Sequence, residues 1–195
     1  MIQKALFLDR DGVINKLVNY DSGWDSPLKV SDVELVSGIS EIITWCNNEN
    51  IPVIEITNQP AVAKGKITLK ISNSIETRIQ KLLNKNGAKV NNIYKCLHHP
   101  NSVIKKYKSI CDCRKPNAGL IIKAAKENNI DLNNSVFLGD KESDYLASSA
   151  AGCIPIIFLH RNDLKEKVDK IYSLKNKYCS ENIEVLFNII KNLLN

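Results

Sequence analysis

Short apolar runs that stop abruptly at polar groups, with amphipathic stretches between them, constrain this chain more than any other feature. The runs lie at 5–8, 51–56, 92–96, 136–138 and 154–159. Runs of strand length alternating with helical periodicity imply βαβ units and a parallel sheet, so the expected fold is α/β, a doubly wound parallel sheet. In such sheets ligands bind beyond the carboxyl ends of the strands, and the polar groups found there are where chemistry is expected. The intervening helices are expected at 37–50, with Ile39, Ile42, Ile43 and Cys46 on one face, and at 68–86, with Ile71, Ile75, Ile79, Leu82 and Leu83 as an apolar stripe closed by Gly87. Further helices are expected at 117–129 and 147–151, and in a charged tail from Arg161 that turns helical towards 183–194. The segment 15–29 carries turn signals from Asp21 to Pro27 and reads as a loop too short to be a second domain. Within it, Tyr20 and Trp24 either line the entrance of the site or cover the edge of the core.

The first run ends in Asp9-Arg10-Asp11-Gly12. A carboxylate at Asp9 can attack phosphorus, dividing one hard displacement into two easier ones, and Asp11 can protonate a leaving alcohol and then take a proton from water. Two neighbouring carboxylates also attract a divalent cation with a preference for hard oxygen ligands. Taken alone, a D-x-D string after a strand is equally an Asx turn. The second run ends in Thr57-Asn58-Gln59, a hydroxyl and an amide suited to the non-bridging oxygens of a phosphoryl group. Pro60 follows and has no N–H to offer a ligand. The fourth run ends in Gly139-Asp140-Lys141-Glu142-Ser143-Asp144.

A Cys-x-His pair at 96–98 and a Cys-x-Cys pair at 111–113 supply three thiolates and one imidazole, enough for a closed tetrahedral zinc site. Such a site leaves no open position and is structural. Arg114 and Lys115 follow it directly. Cys46, Cys153 and Cys179 lie in apolar surroundings and read as small buried hydrophobes. The net charge of +6 is spread over helices and loops with no Arg-rich tract, which argues against a nucleic-acid partner despite the cluster Lys105-Lys106-Tyr107-Lys108. No run approaches the length of a membrane span and no signal-peptide pattern opens the chain, so a cytoplasmic protein without a membrane partner is expected. One domain, 1–195, acting as a monomer, accommodates the 44% apolar content.

The stretch Phe7-Leu8-Asp9-Arg10-Asp11-Gly12-Val13-Ile14-Asn15, with Thr57-Asn58, the C-x-H and C-x-C-R-K-P segments and G-D-x3-D in that order, resembles the haloacid dehalogenase (HAD) superfamily. It is similar in particular to the capless histidinol-phosphatase and heptose-bisphosphate phosphatase group, over roughly residues 4–160. The resemblance implies an HAD-like fold with no cap domain and a zinc-bound loop, and phosphomonoester hydrolysis through an aspartyl-phosphate. It implies catalytic roles for Asp9 (nucleophile), Asp11 (acid and base), Thr57 and Lys115. Mg2+ would be held by Asp9, the Asp11 main-chain carbonyl and Asp140, with Asp144 behind them, and Zn2+ by Cys96, His98, Cys111 and Cys113, leaving His99 free. Asn58, Arg114 and Lys141 would contact substrate. The loop length favours the heptose group, with a heptose 1,7-bisphosphate cleaved at position 7 as substrate. Two departures, Leu17-Val18-Asn19-Tyr20 after the first motif and Pro60-Ala61 after the second, leave histidinol phosphate and other small phosphomonoesters open. A zinc-bearing nucleic-acid module and a DNA 3′-phosphatase are more distant alternatives.

Overall fold

The computed structural model describes residues 3–160, 169 and 178–195. The expectation for the charged stretch from Arg161 lies largely outside them. The chain runs β1 (Leu6–Leu8), β2 (Val18–Tyr20), β3 (Gly23–Asp25), α1 (Ile39–Asn48), β4 (Val53–Asn58), α2 (Leu69–Lys85), β5 (Asn92–Cys96), α3 (Gly119–Asn128), β6 (Val136–Gly139), α4 (Glu142–Ala151), β7 (Ile154–Phe158), β8 (Cys179–Ser180) and α5 (Ile183–Leu194). The main sheet has the order β5-β4-β1-β6-β7-β8 with every neighbouring pair parallel.

Side-chain alternation in the central strands divides the core between the two faces of the sheet. Leu6 and Leu8 of β1, Val53 of β4 and Leu138 of β6 face one way, and pack against Ile42 and Ile43 of α1, Ile75 and Ile79 of α2 and Leu186 and Ile190 of α5. Phe7, Ile54, Ile56 and Phe137 face the other way and meet Leu120, Ile121 and Ala124 of α3 and Ala147 of α4. Helices on both faces leave β1 with no exposed side chain. Its carboxyl end is therefore the place where the apolar run gives way to Asp9 and Asp11.

Several details depart from the sequence reading. The segment expected as a loop after the first motif forms an antiparallel hairpin, β2 with β3, where Asn19 stands opposite Trp24. Tyr20 donates its hydroxyl to Asp32 Oδ2 at 2.6 Å, whereas Trp24 remains 57% exposed and does not cover core. In α2 the buried face is Ser72, Ile75, Glu76, Ile79 and Leu83, so Ile71 is turned outward and two polar residues turned in. α4 begins at Glu142, not 147, so the strand end carrying Asp140 leads straight into a helix. β8 was not anticipated, being only two residues long, and Cys179 within it is partly exposed while Cys46 and Cys153 are buried. Among the described residues, no helix is long and apolar enough to cross a membrane.

Phe137 links core to site. Its ring stacks on Phe7 with centroids 6.5 Å apart, and the Lys115 ammonium lies 5.3 Å from its centre. Phe137→Ala should cost about 3–5 kcal/mol in unfolding free energy, as truncation of a buried aromatic does, measured by urea denaturation.

Candidate active site

The carboxyl ends of β1, β4 and β6 and the loop before α3 deliver the expected residues to one place. Asp9, Asp11, Thr57, Lys115, Asp140 and Asp144 are all buried. At the centre is Lys115, only 4% exposed. Its Nζ lies 2.9 Å from Asp9 Oδ1 and 2.6 Å from Asp144 Oδ1, and donates to the Ile56 carbonyl at 2.9 Å. Burial alone would lower the Lys115 pKa, but the Asp144 and Asp9 carboxylates outweigh it and the net shift is upward, so the ammonium form persists. For Asp9 burial works towards the neutral acid, and the charges of Lys115 and Lys141 outweigh it, holding the carboxyl below its ordinary value. Asp9 is thus kept as an anion, the form that a nucleophile needs.

The Lys115 main chain is held by Asn58. Asn58 Oδ1 accepts from the Lys115 N–H at 3.1 Å and Asn58 Nδ2 donates to the Lys115 carbonyl at 3.0 Å. Where the sequence reading places Asn58 against substrate, the structure turns its amide to the loop that bears the lysine. Arg114 Nη1 donates to the His98 carbonyl at 3.3 Å, which ties it to the cysteine-rich loop.

Asp140 is fully buried at the end of β6. Asp144, one turn into α4, accepts the Asp140 and Lys141 N–H groups through Oδ2 at 3.2 and 3.0 Å, fixing the bend between strand and helix. Gly139 is required for this approach, since a Cβ there would lie 2.3 Å from that of Asp144. Gly12 is required twice over: its φ is +97°, and an added Cβ would fall 2.4 Å from Asp140 Oδ2.

Carboxylate oxygens of Asp9, Asp140 and Asp144 lie within 4.8 Å of one another. The Lys141 ammonium shows where a cation settles among these oxygens: 3.1 Å from Asp140 Oδ1, 3.9 Å from Asp9 Oδ2 and 3.3 Å from the Asp11 carbonyl. A donor set made only of hard oxygens, converging on one positive group, suits Mg2+. The second cluster, Cys96, His98, Cys111 and Cys113, has its ligand atoms within the same 4.8 Å limit. The sulfur separations are 3.6, 3.2 and 3.1 Å, too long for disulfides, and His98 Nδ1 is 3.3 Å from Cys113 Sγ. Tetrahedral zinc with bonds of about 2.3 Å sets its sulfurs roughly 3.7 Å apart, so the cage needs only slight expansion to hold the ion.

Sequence reasoning passed over the surroundings of Asp11. Arg10, 1% exposed, donates to Asp11 Oδ1 from Nε and Nη2 at 3.1 and 3.0 Å and to Oδ2 at 3.1 Å. Gln59 Nε2 donates to Asp11 Oδ2 at 2.6 Å and to Thr57 Oγ1 at 2.9 Å. Behind them Glu76 of α2 pairs with Arg10 at 3.5 Å and with Lys95 at 2.9 Å. Glu55 is fully buried beside this group; burial first and Glu76 second push its carboxyl well above the ordinary range. The available signal was polar residues at core positions: Glu55 inside an apolar strand and Glu76 between Ile75 and Ile79.

A family model of HAD-hydrolase-like proteins matches residues 112–184. The chain is 39% identical over 163 residues to the D-glycero-beta-D-manno-heptose-1,7-bisphosphate 7-phosphatase of Helicobacter pylori, covering 83% of this chain and 87% of that protein. It is 36% identical over 156 residues to the D-glycero-alpha-D-manno-heptose-1,7-bisphosphate 7-phosphatase of Photorhabdus laumondii, covering 80% and 81%. Among solved structures, the D,D-heptose 1,7-bisphosphate phosphatase from B. bronchiseptica, complexed with magnesium and phosphate, shares the fold with a TM-score of 0.81 at 24% identity, over 97% of this chain and 99% of that one.

Lys115→Met leaves Asp144 without its ammonium partner and Asp9 with only the more distant Lys141, 3.9 Å away. Such breakage of a buried ion pair should cost about 3–5 kcal/mol at neutral pH. Because the folded-state pKa of Asp9 is depressed, its contribution to stability is present above the ordinary aspartate value and lost as pH falls through the depressed one. The variant should therefore lose less stability than the parent on acidification below about pH 4, measured by denaturant titrations across pH.

Proposed function

Because this chain belongs to the heptose-1,7-bisphosphate 7-phosphatase family of HAD-like hydrolases, we propose that it removes the 7-phosphate of a D-glycero-D-manno-heptose 1,7-bisphosphate. The observation that carries this reading is the Asp9–Lys115–Asp144 arrangement, a buried anionic nucleophile held beside a cation at a strand end. In the mechanism it supports, an Asp9 oxygen attacks phosphorus, the bond between phosphorus and the sugar oxygen breaks, and Asp11 gives that oxygen its proton. Asp11 then takes a proton from water as the water attacks the aspartyl-phosphate, which releases inorganic phosphate and restores Asp9. Thr57 donates to a non-bridging phosphoryl oxygen and Lys115 balances the accumulated negative charge. Asp9, the Asp11 carbonyl and Asp140 would hold Mg2+, which when bound would screen repulsion between the nucleophile and the phosphate. Asp144 keeps Asp140 and Lys115 in place.

Cys96, His98, Cys111 and Cys113 would hold a structural zinc, which would close the loop that ends at Arg114, so that Arg114 grips the second substrate anion through its fork of donors. Lys141, 46% exposed at the mouth of the acid cluster, is the further cation available to the sugar phosphate. The hairpin β2–β3 occupies the stretch where the family contacts substrate and sets the choice among phosphomonoesters.

With Mg2+ present, kcat/KM on the heptose 1,7-bisphosphate, both anomers assayed, should exceed that on histidinol phosphate by at least about tenfold. Asp9→Asn should abolish turnover of both; phosphate release surviving that substitution would overturn the covalent mechanism. The purified protein should carry equimolar zinc by elemental analysis. Cys111→Ser with Cys113→Ser should remove it and raise KM for the bisphosphate more than for a monophosphate, as the Arg114 support is lost.

A further inference from the structure

Among the described residues, Arg10 is a fully buried cation that the mechanism leaves unused. Arg10 stands between the nucleophile and the acid in sequence, and its side chain runs away from the phosphoryl site towards α2 and Glu76. A buried guanidinium needs several partners to offset its desolvation, and here they are Asp11 beyond β1, Gln59 beyond β4 and Glu76 of α2. The contacts converge on one group. Both Asp11 oxygens accept from Arg10, Oδ2 also accepts from Gln59, and Oδ1 also accepts from Asn15 Nδ2 at 3.1 Å. Gln59 Oε1 in turn accepts from Arg10 Nη2 at 2.7 Å, which closes a triangle of Arg10, Asp11 and Gln59. Gln80 Nε2 donates to Glu76 Oε1 at 3.0 Å and braces the far side.

We propose that Arg10, braced by Glu76 and completed by Gln59, is a positioning residue for the Asp11 carboxylate: it holds the acid–base group apart from the ammonium groups of Lys115 and Lys141 and in register with Thr57. The need for such a device follows from the charges nearby. Asp9 is 2.9 Å from Lys115, and without competing donors a second flexible carboxylate two residues on would be drawn to the same cations. The planar fork of Arg10 meets Asp11 in a fixed plane, which an ammonium could not do. Gln59 bonds Asp11 and Thr57 through one nitrogen, so the proton donor and the phosphoryl-facing hydroxyl keep a constant separation. Arg10 and Gln59 touch neither phosphate nor leaving group; they act through Asp11.

The inference rests on the acid–base role given to Asp11, and leaving-group dependence separates the two. A sugar alkoxide needs a proton as it departs, whereas p-nitrophenolate does not. With full-length protein and Mg2+, Arg10→Gln should lower kcat/KM on the sugar phosphate by about a hundredfold to a thousandfold, within the range for general acid catalysis, and kcat/KM on p-nitrophenyl phosphate by less than about threefold. Arg10→Lys, which restores charge without the fork, should not rescue the sugar phosphate. Gln59→Met removes a donor to Asp11 while leaving the ionic cluster intact, and carries the same expectation should Arg10→Gln not fold. Equal losses of kcat/KM on both substrates, or no loss, in a variant with unchanged near-ultraviolet circular dichroism would overturn the proposal. Asp11→Asn serves as the reference, read in kcat/KM, which reports the steps up to departure of the alcohol and not the later hydrolysis of the aspartyl-phosphate: if it loses kcat/KM equally on both substrates, the acid role of Asp11 itself is wrong; if it is selective and the Arg10 and Gln59 variants are not, only the positioning role fails.

Discussion

The Lys115 ammonium is the interaction on which the rest of the site depends. Three carboxylates, Asp9, Asp140 and Asp144, are packed within 4.8 Å of one another at the end of a hydrophobic sheet, and that density of negative charge cannot be buried without compensation. Lys115 supplies it from a loop distant in sequence, contacting two of the three directly. The same contacts that make burial tolerable also keep Asp9 ionised, so stability and reactivity are served by one pair of distances. Phe137 below limits where the ammonium can sit, which ties the electrostatics to core packing.

A second layer of organisation lies behind the reacting groups. On the Lys115 side it is Asn58 and the cysteine-rich loop; on the Asp11 side it is Arg10, Gln59 and Glu76. The two halves meet at the end of β4, where Thr57, Asn58 and Gln59 follow one another. Thr57 is tied to Gln59 through its hydroxyl, Asn58 turns to the lysine loop and Gln59 turns to the acid. Consecutive residues thereby serve three different directions, which is possible because the strand is ending and the chain is free to turn.

Most of the layout was legible in the sequence because parallel strands announce themselves as apolar runs with polar ends. β5 lies where the run at 92–96 indicates, and the other main strands fall within a residue or two of their runs, since burial on both faces enforces continuous hydrophobicity. Asp9, Asp11, Thr57 and Asp140 were legible because each sits at or just beyond such an end, whereas Lys115 was placed only by the motif that follows Cys113. What was hidden had no periodicity to betray it. The hairpin β2–β3 is two strands of three residues, held by Tyr20 to Asp32 more than by any apolar face. The inward turn of Glu76 is invisible to a stripe drawn through isoleucines, because its partners Arg10 and Lys95 are remote in sequence. Asn58 looked like a ligand contact because an amide after a strand serves either a substrate or a neighbouring loop, and only coordinates distinguish the two.

The Asn58 bracket has a consequence for how such a site can change. It grips the peptide group of residue 115 and not its side chain, so the loop is seated by atoms that every amino acid except proline possesses. Seating and chemistry at that position are therefore separable. A lineage could exchange the lysine while its backbone stays docked, provided that another cation, or loss of an acid, offsets the charge of Asp9 and Asp144.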